Sequence, residues 1–260
     1  MNFLLGIIYL SFISLGLPDS LLGAAWPNMY PEFQVPVSYA GAVSMIIAMG
    51  TIVSSLQSDR FTKKFGTGLV TAISVGITAF ALWGFSVSHS FIQLCLWAVP
   101  YGLGAGSVDA SLNNYVALHY ASKHMSWLHC MWGVGTTLGP YIMGTVLTGG
   151  LTWNTGYRVI SLLQLLLTAA LIFSLPQWKR QTADTIRISG GNSLSLNEIL
   201  SIPGAKAIML CFFCYSALEQ TAMLWAGSYL TLAKGVDAKA AASRAARIPP
   251  ADKHSPSASP

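Results

Sequence analysis

The chain has 260 residues, of which 53% are hydrophobic and 9% are Asp, Glu, Lys or Arg, against roughly 25% charged in an ordinary soluble domain. Between Lys64 and Asp109 none of these four residue types occurs. A soluble surface cannot be built from that composition, whereas a membrane helix needs only about 20 largely apolar residues at about 1.5 Å of rise each.

Seven segments qualify as spans in chain order: roughly 3–26, 37–57, 66–88, 91–117, 126–149, 157–177 and 206–232. Each is read as a helix, because lipid-exposed coil leaves its backbone polar groups without partners. The first segment lacks a basic opening region and runs on through Asp19, so it is a span and not a cleavable signal peptide.

Loop charges set the orientation. Arg60, Lys63 and Lys64 lie between spans two and three; Lys123 lies between four and five; Lys179, Arg180, Arg187 and Lys206 lie between six and seven. The opposite connections carry no Lys or Arg, apart from Arg158 just inside span six. The N-terminus is therefore expected on the cytoplasmic face. The formal charge of +5 follows this loop pattern, so no nucleic-acid partner is expected.

The domain reading is a six-helix bundle over 1–178, a cytoplasmic linker over 179–205, a seventh membrane helix over 206–232 and a disordered, atypical tail over 233–260. Five basic residues in that tail would sit outside, against the positive-inside trend. The chain is accordingly read as prematurely ended.

Acidic residues within spans are the most informative feature, because a charge at mid-membrane costs at least ~3 kcal/mol. Asp19 lies in span one, Asp109 in span four and Glu219 in span seven. Their recurrence every third helix is what three-helix repeats would produce, each giving its first helix to a central cavity. Asn113 stands one turn beyond Asp109 and shares its helix face. Its amide can bond a solute hydroxyl or Asp109 itself. Trp225 and Tyr229 follow Glu219 and are candidates for stacking on a sugar ring.

Gly102, Gly104 and Gly106 lack a preceding strand, and with Gly133, Gly135, Gly139 and Gly144 they read as close-packing positions between helices. Pro140 removes a backbone donor beside Gly139, so a bend is expected there. Asp59 is placed to pair with a cation on a neighbouring helix end as a cytoplasmic latch. His119, His124 and His129 are spaced by five and do not share a helix face, so interfacial contacts are expected before any metal site. The tryptophans read mostly as interface anchors. Cys95, Cys130, Cys211 and Cys214 fall in or beside apolar stretches, where a thiol packs as a small hydrophobe.

These motifs resemble the major facilitator superfamily. Ser55 to Lys64 is similar to its loop motif Gly-x-x-x-Asp-Arg-x-Gly-Arg-Lys: Asp59, Arg60, Lys63 and Lys64 match, while Ser55 and Thr62 replace its glycines. Gly135 to Gly144, with Gly139-Pro140, resembles the Gly-Pro motif of span five. Leu17-Pro18-Asp19, with Asp109 and Asn113, is similar to the acidic pair of fucose permease-like sugar:proton symporters, whose span-four carboxylate is usually Glu.

The resemblance implies an all-α membrane protein with a major facilitator-type bundle, here seven helices of an expected twelve, the rest of the second half being absent. It further implies transport of a sugar or similar small polar solute by proton symport through alternating access. Asp109 would be the coupling and solute-facing carboxylate, Asn113 its polar neighbour, Asp19 a second protonation or gating site, and Glu219 a further candidate. Partners would be the solute, protons and the bilayer of a bacterial cytoplasmic membrane, with no cofactor and no metal. A drug:proton antiporter of the same fold and a non-transporting remnant are the alternatives. A membrane enzyme is disfavoured, because no Ser/His/Asp or metal constellation converges on one depth.

Overall fold

The computed structural model describes residues 3–185 and 196–245. Among these residues the chain is helical, without strands: α1 (Phe3–Asp19), α2 (Leu21–Glu32), α3 (Tyr39–Phe65), α4 (Thr67–Ser86), α5 (Phe91–His119), α6 (Lys123–Thr148), α7 (Trp153–Thr185), α8 (Leu196–Ser201), α9 (Ala205–Leu232) and α10 (Ala238–Ala245). Six stretches are long and apolar enough to cross a membrane: α1 with α2 (Phe3–Glu32), α3, α4, α5, Trp153–Trp178 within α7, and α9. The remaining expected span, the fifth in chain order, is α6, a 26-residue helix whose two histidines and several Thr and Gly residues place it below the apolarity of the other six.

Four boundary expectations change. The first span continues to Glu32, past Pro27, because the chain bends at Ser20 between α1 and α2 and then resumes helix. The Ser55–Lys64 segment, expected as a loop, forms the last turns of α3, and the whole connection to α4 is Gly66 at φ 83°. That left-handed turn suits glycine, and it lets the Asp59–Lys63 pair and the Thr62 hydroxyl bond to Ser58 O extend the helix.

The disorder expected over 233–260 is corrected for Ala238–Ala245, which is helix α10. Asp237 Oδ2 accepts from the Lys239 and Ala240 backbone N–H groups at 3.0 and 3.3 Å, capping an alanine-rich run with high helix propensity. Ala241 and Ala242 are fully buried where α10 packs against α6, α9 and α2. Part of the expected linker continues α7 to Thr185 and part forms α8; its residues 186–195, and the tail from 246, lie outside the described residues.

Across the bundle the helices follow the packing order α3, α5, α4, α7, α1, α6, with α9 laid against α2. Glycines set the close approaches. A Cβ at Gly102 or Gly106 would strike α3 at Ile47 or Thr51, and one at Gly104 would strike Ser74 and Thr78 of α4. The alternate spacing of these glycines thus serves two neighbours on opposite sides of α5. Gly23 and Gly227 bring α2 and α9 together in the same way.

Prolines leave carbonyls that other helices complete. A proline removes the N–H that would bond the carbonyl four residues earlier, and a buried carbonyl needs a partner. Pro18 frees Ser14 O, which takes Gln164 Nε2 at 2.9 Å. Pro140 frees Thr136 O, which takes the Ser20 hydroxyl at 2.7 Å. Gln164 Oε1 also accepts from the Thr78 hydroxyl, so this one side chain ties α1, α4 and α7 together.

Candidate functional site

The helices enclose a cavity of about 1180 Å³ whose walls include all three intramembrane carboxylates, Asp19, Asp109 and Glu219. They arrive from α1, α5 and α9. Asp19 sits at the α1–α2 bend, after Pro18, where the chain direction changes. On α5, Gly106 and Asp109 both face the space, with α3 held close by the glycine stripe and by the Ser55 hydroxyl donating to Gly106 O at 3.1 Å.

Each carboxylate already accepts a hydrogen bond from an uncharged donor. Asp19 takes Trp132 Nε1 on Oδ2 at 2.8 Å and the Tyr101 hydroxyl on Oδ1 at 3.1 Å. Asp109 Oδ1 takes Asn113 Nδ2 at 2.9 Å. Glu219 Oε1 takes the Tyr215 hydroxyl at 3.0 Å. Asp19 lies within coulombic reach of both Asp109 and Glu219, and His129 within reach of Asp109. Tyr101 and Asp109 are eight residues apart on α5, about 12 Å along its axis, so Asp19 and Asp109 occupy different levels of one chamber.

Among the described residues the cavity walls contain no Lys or Arg, and His129 is their one group able to carry positive charge. The remaining surface is apolar, with aromatic residues such as Phe12, Phe85, Tyr101 and Trp132 among aliphatic ones such as Leu15, Ile47 and Leu82, and with polar groups such as Ser44, Thr51, Ser216 and Gln220 between them. The arrangement can hold protons on carboxyls, bond hydroxyls and stack apolar ring faces.

Other expected residues lie elsewhere. Asn113 bonds Asp109 and does not line the cavity, so of its two expected bonding modes the one to Asp109 is present. Asp59 pairs with Lys63 one turn along its own helix at 2.7 Å, both groups half exposed. This i,i+4 pair stands where a pairing with a neighbouring helix was expected, because α3 continues past Asp59 and places Lys63 one turn away on the same helix. Arg60 and Lys64 share that exposed helix end, with Lys64 over the Phe65 ring.

Gly135 and Gly139 do pack against α1, where a Cβ would strike the carbonyls of Ile13 and Leu17. Gly144 and Pro140 are buried, but Gly133 has open space before it and borders the cavity. Trp225 and Tyr229 do not line the cavity. Six residues turn a helix by about 240° relative to Glu219, whereas Tyr215, one turn away, shares its face.

Sequence reading missed Trp132, His129, Tyr101 and Tyr157. Trp132, expected as an interface anchor, and His129, expected as an interfacial contact, both line the cavity, because helix period alone does not say which face of a glycine-rich helix turns inward. His124 bonds the Tyr9 hydroxyl at 2.7 Å, and His119 stacks on Tyr115. Trp153, another expected anchor, is buried and donates to Glu32 at 2.6 Å.

Comparison with known proteins places this geometry. A family model described as Major Facilitator Superfamily matches residues 8–246. The cis,cis-muconate transport protein of Acinetobacter baylyi is 23% identical over 172 residues, covering 65% of this chain and 41% of that protein. A crystal structure of a D-xylose-proton symporter superposes with a TM-score of 0.68 at 12% identity, over 94% of this chain and 64% of that one. The chain therefore spans less than two thirds of the length of either relative.

Proposed function

The chain belongs to the Major Facilitator Superfamily, and from that premise we propose that it moves a sugar or similar small polar solute across a membrane by proton symport, through alternating access. The observation that carries the reading is the convergence of Asp19, Asp109 and Glu219 on one chamber that also offers hydroxyl, amide and aromatic groups. A carboxyl whose surroundings alternate between water and protein can take up and release a proton. Asp109 is the coupling group, with Asn113 holding one of its oxygens, and Asp19 is a second protonation or gating group.

Charge narrows the solute. A chamber with three carboxylates and no Lys or Arg among the described residues repels an anion, so a neutral polyhydroxylated compound fits better than a dicarboxylate of the kind named for the A. baylyi relative. The muconate transport protein and the D-xylose-proton symporter both support solute movement as the general activity. In this reading α6 also crosses the membrane: its 26 residues reach about 39 Å, and it packs along α1. The N-terminus faces the cytoplasm of a bacterial cell.

The breadth and aromatic lining of the chamber favour one second reading, a drug:proton antiporter of the same fold. Proteoliposomes separate the two. Symport predicts labelled D-xylose or L-fucose accumulating under an inward proton gradient and released by an uncoupler. Proton-driven expulsion of cationic dyes, with no sugar uptake, would replace that reading with the antiporter.

A further inference from the structure

We propose that the outer groove between α3 and α5, together with Arg60 and Lys64, is a binding site for one anionic phospholipid, an acyl chain lying in the groove and the phosphate resting on the two cations. The site is separate from the chamber and independent of the solute and the coupling assigned to it.

Two opposite faces of α3 border two different spaces. Ser44, Ile47, Thr51 and Ser55 line the chamber. Met45, Met49, Gly50 and Val53 line a second, apolar groove of about 390 Å³, closed on its other side by Val99 and Leu103 of α5. Gly50 makes the dent: a Cβ there would meet the Gly102 backbone at 3.1 Å, so the two helices touch with no side chain between them. The flanking side chains open outward, Met45 being 70% and Met49 61% exposed. A face turned away from the chamber of a membrane helix meets lipid, and unbranched methionines adapt to a flexible chain.

Depth fits one leaflet. The apolar run 37–57 of α3 centres on Ile47. Met45 to Val53 therefore runs from about 3 Å on one side of that centre to about 9 Å on the Arg60 side, within a hydrocarbon half-thickness of about 15 Å. Arg60, about 20 Å from the same centre, stands at headgroup level.

Segregation of basic residues to one membrane face accounts for cations at this helix end but not for the side of the helix they occupy. Arg60 and Lys64 follow Val53 by seven and eleven residues, which brings each back to within about 20° of the groove face. Asp59 is turned about 120° away and is paired with Lys63. Among the described residues neither Arg60 nor Lys64 has an acidic partner, and Lys64 lies over the neutral Phe65 ring at 5.2 Å. Gln57 stands between groove and cations, with its Nε2 on Val53 O at 3.4 Å. Its second N–H is free to meet an ester carbonyl. Apolar groove, amide and paired cations thus follow one helix face in the order of a phospholipid's own parts, and two uncompensated cations select a net negative headgroup.

The test titrates the 260-residue chain, purified in detergent, with phosphatidylglycerol or phosphatidylcholine in mixed micelles and counts bound lipid by native mass spectrometry. Val53, Arg60, Lys64 and Lys123 are all exposed, so substitutions there leave the packing intact. The parent is expected to hold one phosphatidylglycerol in preference to phosphatidylcholine. Arg60→Gln with Lys64→Gln should weaken phosphatidylglycerol roughly 5- to 30-fold, whereas Arg60→Lys with Lys64→Arg should keep the preference. Val53→Trp fills the groove and should weaken both lipids, and Lys123→Gln, at the start of α6, should change neither. Equal binding of the two lipids by the parent overturns the site. So does phosphatidylglycerol affinity that is unchanged in Val53→Trp, or that falls as far in Lys123→Gln as in the double Gln variant. Displacement of the lipid by soluble glycerol phosphate also overturns it, since the cations would then hold a free phosphate.

Discussion

Trp132 and Asp19, 113 positions apart in sequence, are joined by an indole N–H donated to Oδ2 at 2.8 Å. The adjacent Ser20 hydroxyl reaches Thr136 O one turn further along α6. The bend between α1 and α2 is thus clamped to α6 at two successive turns, with the carboxylate facing the chamber and the hydroxyl closing a backbone gap. Removing one donor from a buried carboxylate costs ~1.5–3 kcal/mol. Trp132→Phe is expected to lower the thermal midpoint in detergent by roughly 3–8 °C, while Asp19→Asn, which keeps size and both partners, should cost less. An unchanged midpoint in Trp132→Phe would show the bond to be energetically idle.

Ser20 and Pro140 should be coupled through Thr136. Ser20→Ala leaves a carbonyl that Pro140 cannot complete, at ~1–3 kcal/mol. In a Pro140→Ala background the residue-140 N–H is restored, and Ser20→Ala should then be nearly neutral. A double-mutant cycle on thermal or denaturant stability reads the coupling. Equal cost in both backgrounds would refute the exchange of donors.

Glycines on one helix should differ sharply in tolerance. Gly135→Ala and Gly139→Ala push a methyl into the carbonyls of Ile13 and Leu17, an overpacking cost of ~1–3 kcal/mol. Gly133→Ala meets nothing within 4 Å and should be neutral, or stabilising by up to about 1 kcal/mol through helix propensity. Melting temperatures of the three variants, measured side by side, test the α1–α6 seam. A uniform response would mean that the helices do not approach as described.

Asp109→Asn tests coupling. The amide keeps size and hydrogen bonding but cannot carry a proton, so uptake driven by a pH gradient should collapse while solute counterflow persists. Asp109→Glu should keep part of the uphill activity. Proteoliposomes with matched protein content give both readouts, and full uphill accumulation by the Asn form would end the coupling role.

Topology can be checked without reference to function. In a variant with the four native cysteines replaced, single cysteines at Thr62 and Thr152 should react with an impermeant thiol reagent from opposite sides, Thr62 from the cytoplasm. Labelling of both from the outside would invert the assignment of loops to faces.

Some properties were legible in the residues alone because they depend on local composition. The scarcity of charge determined an all-helical membrane chain, and long uncharged runs placed most helix ends within a few residues. The carboxylates Asp19, Asp109 and Glu219 stood out because an acid in lipid is costly wherever the helix points. The glycines of α5 announced close packing because small residues serve it in any orientation.

Only the tertiary structure decided which faces meet. These helices are hydrophobic nearly all round, and an even coat carries no signal for rotation about the axis. Trp132 therefore read as an anchor although it holds Asp19, and Tyr229 read as a site residue although it lies outside the chamber. Asp59 found its partner within α3 because the helix continued where a loop was expected. The donors that complete Ser14 O and Thr136 O come from residues 150 and 116 positions away. Such pairings are set by the packing order of helices, which local sequence does not encode.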